Sequence, residues 1–213
     1  MSGSVPGLGA PGLAEALEAN QFAFLAGFGR GPGGELHKDR DMVRALAGVP
    51  SPGLNVVFGT RFTPDDADAR IAETLAFFRQ RGLPFSWLVS PSTEPADTGE
   101  RLRAHGLRHD ADAPWMAADL GALPEGEPPS DLATVEVDDA GKLRQFDRAH
   151  ARGFGASEAI GRAYVEIYAA LGLGPDRPLR HYVGLLHGEP VASASLLLAG
   201  GVAGVFGVAV APE

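Results

Sequence analysis

His181, Tyr182 and His187 fall in one short apolar segment, and imidazole and phenol groups so placed could move protons near neutral pH. Read from the residues alone, each is a packing or rim side chain of a strand. His105 and His109 have the spacing of a helical ligand pair, but Gly106 interrupts the helix that would align them. His150, His181 and His187 are scattered, so no metal site is expected. Asp65, Asp66 and Asp68, like Asp138 and Asp139, stand ahead of periodic apolar segments, where carboxylates act first as helix-start acids. The run Gly27-Phe28-Gly29-Arg30-Gly31-Pro32-Gly33-Gly34 has a phosphate-loop composition. It follows a helical pattern rather than a strand and lacks the Lys-Ser/Thr of a nucleotide loop. No Gly-x-Ser-x-Gly elbow is present, and the absence of cysteine excludes disulfides, thiolate catalysis and cysteine metal sites.

The elements that must position any such chemistry belong to a 213-residue chain of net charge −9, with Arg far outnumbering Lys. That length holds one large domain or two small ones. The acidic balance argues against nucleic acid and anionic membranes, both of which need a basic surface. It would suit a cationic substrate, although solubility alone also accounts for it. The first residues have no basic region and no apolar core, so no signal peptide is read there and a cytoplasmic location is expected. Pro190 to Pro212 carries no charge and is long enough to span a membrane. Gly200-Gly201 at its midpoint argues instead for a hairpin between two strands.

Periodicity predicts a helix over 13–28, closed by the Gly/Pro run. Short strands follow at 42–49 and 54–62. Thr63-Pro64-Asp65-Asp66 caps a helix over 67–81 with an apolar stripe of Ala67, Ile71, Leu75 and Phe78, and Gly82 stops it. A strand at 85–89, a short helix at 98–105 and a strand at 113–120 complete the first half. Residues 122–131, rich in proline, read as a linker. The second half begins again: a strand at 134–137, a helix over 140–152 capped by Asp138-Asp139, a loop over 153–157, and a helix from Ser157 to Leu171. A strand over 181–187 and the Gly-Gly hairpin close the chain.

A hairpin that ends in Val208-Ala209-Val210-Ala211-Pro212-Glu213 resembles the third and fourth strands of the GNAT family of N-acetyltransferases. The order strand, two helices and three antiparallel strands is the front half of that fold. The resemblance implies an α+β class with a mixed, mostly antiparallel sheet flanked by helices, in two tandem copies: a degenerate N-terminal one over 1–121, the linker, and the front half of a second over 132–213. In the first copy, Val56–Arg61 stands for the fourth strand, 67–81 for the cofactor helix and 85–89 for the fifth strand. Residues 100–108 stand for the family's short helix and 113–120 for its closing strand.

The resemblance implies an N-acetyltransferase that moves an acetyl group from acetyl-CoA, its co-substrate, to a small-molecule or peptide amine. The backbone of Gly207, Val208, Ala209 and Val210 would carry the cofactor arm. The 153–157 loop and the second helix, with Phe154, Tyr164 and Tyr168, would face the acceptor, although these aromatics also read as core. The first copy fails a physical test for diphosphate binding: Phe62 to Asp68 has no glycine, loses a donor at Pro64 and brings three carboxylates. Its expected role is structural, with Leu102 where the family often keeps a tyrosine acid. No complete acid–base set is found for the second copy, so its catalytic residues stay unassigned. The family's pyrophosphate loop would follow Glu213, so little or no activity is expected of these 213 residues. The alternative is a non-catalytic scaffold that binds a ligand or partner, and an open sheet edge would favour a homodimer.

Overall fold

Gly200 and Gly201 adopt φ +63° and +81°, the left-handed pair that a two-residue hairpin turn requires. The turn joins β7 (Glu189–Ala199) to β8 (Val202–Val210), so the long uncharged segment is a strand pair. No helix among the described residues is long and apolar enough to cross a membrane. The computed structural model describes residues 9, 11–124, 126 and 129–212. They form two compact units: Leu25–Met116, and the described residues up to Phe24 together with those from Ala117 on. Helix α1 (Leu13–Phe28) contributes to both. The N-terminal segment therefore groups with the C-terminal unit, unlike the continuous 1–121 division read from the sequence.

In the C-terminal unit, β5 (Leu132–Glu136), β6 (Leu179–Leu186), β7 and β8 form an antiparallel sheet in that order. Between β5 and β6 come α4 (Ala140–Phe154) and α5 (Glu158–Leu171). Asp139 caps α4 by accepting from Lys142 N at 2.9 Å, and Ser157 caps α5 through Ile160 N. Helix α4 runs two residues further than expected, so Gly153 and Phe154 are helical and the loop shrinks to Gly155–Ser157, with Gly155 at φ +62° as the stop. Leu143, Phe146, Ala149 and His150 of α4 bury against the sheet face that carries His181, Val183, Ser193, Ser195 and Leu197.

Helix α1 covers the hairpin end of that unit through one side chain. Asn20, 2% exposed, donates from Nδ2 to the carbonyls of Leu197, Ala199 and Val202 at 3.0, 2.9 and 3.2 Å. Its Oδ1 occupies the place a Cβ on Gly204 would need, and Phe24 stacks on Phe206 with centroids 4.0 Å apart.

In the other unit, β1 (Glu35–Lys38), β2 (Val43–Leu46) and β3 (Asn55–Phe58) pair antiparallel. After α2 (Ala67–Arg81), β4 (Ser86–Trp87) returns parallel to β3, and α3 (Thr98–Ala104) follows. Helix α2 has the predicted bounds. Thr63 accepts from Asp66 N at 3.2 Å and donates to its carboxylate at 2.8 Å, closing the helix start with the chain's own groups. Strand β1 was not foreseen. The strand expected at 113–120 is absent: the segment is exposed and irregular, Pro114 removes a ladder donor, and a 3₁₀ turn occupies Leu120–Ala122.

The Asn20 contact predicts a measurable coupling. Asn20→Ala leaves carbonyls at the hairpin without their donor and should cost about 2 kcal/mol in urea unfolding. Gly204→Ala should also destabilise, but markedly less in the Asn20→Ala background, because the clash is with Asn20 itself. Additive losses would exclude this contact as the link between α1 and the hairpin.

Candidate functional site

Strand β8 is not regular. Ser193 pairs with Ala209 and Ser195 with Phe206, so Ala194 alone faces both Gly207 and Val208. This is a one-residue bulge, and Gly207 takes φ +57°, where a side chain would be strained. Ser193 Oγ donates to the Gly207 carbonyl at 3.1 Å. The Gly207 carbonyl and the Val208 N–H share one planar trans peptide and point in opposite directions. With the carbonyl drawn to Ser193, the Val208 N–H is directed away from it. Strand β8 is the last of its sheet, and no further strand pairs with it among the described residues.

Two imidazoles lie against this part of the sheet. His150 Nδ1 is 3.2 Å from Ser193 Oγ; since that hydroxyl donates to Gly207, the imidazole N–H donates to the hydroxyl, which fixes the proton on Nδ1. His181 Nδ1 lies 2.8 Å from Ser195 Oγ, and its Nε2 is buried with no partner among the described residues. The rings interlock: His181 lies 4.0 Å from Tyr168, and Phe146 lies 5.3 Å from His150 and 5.2 Å from His181. Burial lowers the pKa of His150, opposed in part by the Gly207 backbone. Burial, with His150 nearby, pushes His181 down to about 4. Both are therefore neutral at pH 7. Burial raises both phenols, Tyr164 and Tyr168.

The residues expected from the sequence fall around this cluster. Phe154, 56% exposed, and Tyr164, half-buried, flank His150 with centroids 4.7 and 5.0 Å away. Tyr168 is fully buried and belongs to the core. Val208 and Val210 are exposed, whereas Ala209 is buried under Gly153, where any added Cβ would lie 2.6 Å from the Ala209 methyl. His187 sits in the β6–β7 turn at φ +52°, Tyr182 is half-exposed, and neither joins the cluster. The sequence reading missed His150 and Ser193. Their signal was there in principle: a histidine on the apolar stripe of α4 and serines alternating along an otherwise apolar strand. A separate hollow of about 320 Å³ lies between α4 and α5, lined by Asp147, Glu158, Gly161 and Arg162 among others. Burial raises Asp147.

In the Leu25–Met116 unit the backbone just past β3 is paired. Beyond β3, Glu94 donates from its N–H to the Thr60 carbonyl at 3.0 Å and accepts from Phe62 N at 3.0 Å. Trp87 Nε1 donates to Thr60 Oγ1 at 3.0 Å. Asp68 at the start of α2 is paired with Arg101 and His105. Leu102 is 5% exposed, inside a core with Met42, Val57, Ile71 and Phe78.

A GCN5-related N-acetyltransferase from Kribbella flavida superposes with a TM-score of 0.66 at 20% identity, covering 95% of this chain and 74% of its own. The fold is that of the GCN5-related N-acetyltransferases. A functionally unknown conserved protein from Staphylococcus epidermidis ATCC 12228 also matches, with a TM-score of 0.49 at 10% identity over 84% of this chain and 73% of its own. No protein-family model and no curated protein matches the chain. Within this GNAT-like fold, the order β5-α4-α5-β6-β7-β8 is the predicted strand, two helices and three strands.

The buried imidazole predicts an acid-labile fold. Unfolded, His181 takes a proton near 6.5; folded, it does so only near 4. Stability should be full above about pH 6.5 and fall as pH drops toward 4, by on the order of 3 kcal/mol. Asp147 works in the opposite sense, its buried carboxyl becoming less favourable as pH rises through the carboxylate range. His181→Asn, which keeps a hydrogen-bonding group toward Ser195 but does not titrate, should flatten the fall between pH 6.5 and 4 in urea midpoints. An unchanged slope would remove His181 as its source.

Proposed function

We propose that the C-terminal unit binds acetyl-CoA along β8 and transfers its acetyl group to an amine. The observation that carries this reading is the bulge at Gly207–Val208 on an open edge strand of a GNAT-like fold. It turns a backbone N–H away from Ser193 at a position where Gly207 carries no side chain. Acetyl-CoA supplies an activated acyl group as a thioester. A backbone donor fixed in place before the substrate arrives stabilises charge that develops on an acyl oxygen without further reorganisation. Gly207 and Ala209 leave room for close approach, and Phe154 with Tyr164 gives an apolar wall for the carbon frame of a small-molecule or peptide amine. The acidic chain favours a cationic acceptor.

The Leu25–Met116 unit is read as a tandem relative that keeps the fold and has given up the site. The backbone groups beyond β3 are taken by Glu94, and the start of α2 is closed by Thr63, Asp66 and paired carboxylates. The exposed Val205, Val208 and Val210 on an edge strand support self-association through β8 as a secondary property.

Titration with acetyl-CoA, followed by amide resonances, should perturb Gly207 to Val210 first and leave Thr63 to Ala69 unmoved. Gly207→Ala, which places a methyl 3.1 Å from His150 Cε1 in a left-handed residue, should weaken binding at least about tenfold. Perturbations confined to 63–69, or none at millimolar ligand, would defeat the reading. Turnover with an amine panel then identifies the acceptor.

A further inference from the structure

The bulge does not hold itself. Gly207 is fixed from two directions by residues of two other elements. Ser193 of β7 takes its carbonyl at 3.1 Å, and the His150 ring of α4 lies directly over its α-carbon, where a Cβ would come within 3.1 Å of Cε1 and 3.6 Å of Nδ1. The three groups form a chain: Ser193 O–H donates to Gly207 O, and with that proton committed the His150 Nδ1–H donates to Ser193 Oγ, while the Gly207 backbone also acts on the imidazole directly. His150 is 4% exposed and Ser193 3%, so solvent does not compete for either bond. The ring is wedged by Phe146, Phe154 and Tyr164, with centroids 5.3, 4.7 and 5.0 Å away. One turn further along α4, Gly153 seats on Ala209 and the Val210 backbone, so helix and strand are in register on both sides of the bulge.

We infer that His150 is a positioning residue of the acyl-transfer site: through Ser193 it locks the Gly207 carbonyl and so aims the Val208 N–H that receives the acyl oxygen. This rests on the acyltransferase reading, but the lock is a property of the free protein and can be tested without it. A hydroxyl with no donor behind it is free to rotate, and its bond to Gly207 becomes one choice among several. A hydroxyl that accepts from His150 keeps its own proton turned away from that ring, and the acceptor that proton meets is Gly207 O at 3.1 Å. The imidazole therefore selects the orientation of the peptide without touching the ligand.

The test compares Ser193→Ala, His150→Leu and His150→Asn with the wild-type chain. Asparagine can place an N–H donor near the position of Nδ1; leucine cannot. In the ligand-free protein, Ser193→Ala and His150→Leu should shift the Gly207 carbonyl-carbon and Val208 amide resonances and speed hydrogen exchange at Val208, while His150→Asn returns them toward wild type. Acetyl-CoA affinity, read by calorimetry, should fall about tenfold in the first two and recover in the third, because one misdirected donor is worth about that factor. Unmoved Gly207 and Val208 resonances in folded Ser193→Ala would overturn the lock. Moved resonances with wild-type affinity would overturn its role in acyl-CoA binding. Moved resonances in a wild-type background that binds no acetyl-CoA would leave the lock standing and remove the acyltransferase reading.

Discussion

The C-terminal unit depends on how closely two helices can approach one hairpin. Helix α1 rests its backbone over Gly200, where a Cβ would lie 2.8 Å from Ala16 O, and buries Asn20 against Gly204. Helix α4 brings His150 over Gly207 and meets Ala209 with its own Gly153. Contacts this close are possible only where side chains are absent, so glycine on β8 is a packing requirement before it is a turn requirement. Tight packing of both helices on the hairpin thus follows from one compositional choice.

The two units show what happens to a strand edge when it is used for structure and when it is left open. Beyond β3 the chain folds back, Glu94 satisfies both Thr60 and Phe62, and Trp87 adds a hydrogen bond to the Thr60 side chain. The Thr60 carbonyl and the Phe62 N–H thus have partners, and the start of α2 holds Asp68 paired with Arg101. Among the described residues no strand pairs with the outer side of β8. The bulge adds a twist and a redirected peptide instead.

Much of this was legible in the residues. The Gly-Gly pair between two β-branched runs gave the hairpin, and Thr63-Pro64 with Gly82 gave the exact span of α2, because turn and cap chemistry is local. The front-half order of elements followed from the same punctuation. What escaped was set by distant partners. Strand β1, Glu-Leu-His-Lys, has no apolar alternation and exists because β2 offers it a ladder. The 113–120 segment has apolar residues but no ladder to join. The grouping of α1 up to Phe24 with the C-terminal unit goes with Asn20, a residue whose type suggests a surface and whose three carbonyl partners lie about 180 positions away. The bulge could not be read at all, since Gly207 looks like any other small residue of a small-residue strand until its register with Ser193 is known.

The cluster of His150, His181, Ser193 and Ser195 is an unusual interior for a small sheet. An apolar quartet of similar volume would avoid the desolvation that lowers both imidazoles, and the unpartnered His181 Nε2 adds a further cost. Stability alone does not favour such a core. The two serines stand two residues apart on one face of β7 and each engages one imidazole, so the layer has two parallel couples. Ser195 Oγ lies 3.9 Å from where a Gly207 Cβ would sit, but the hydrogen bond to the Gly207 carbonyl comes from Ser193. The His181–Ser195 couple, held against Tyr168, fixes the rotamer of the ring that packs under Phe146. Phe146 in turn limits how His150 can tilt. A directional polar core of this kind defines angles that dispersion contacts leave loose, and the element whose angle it defines is the peptide between Gly207 and Val208.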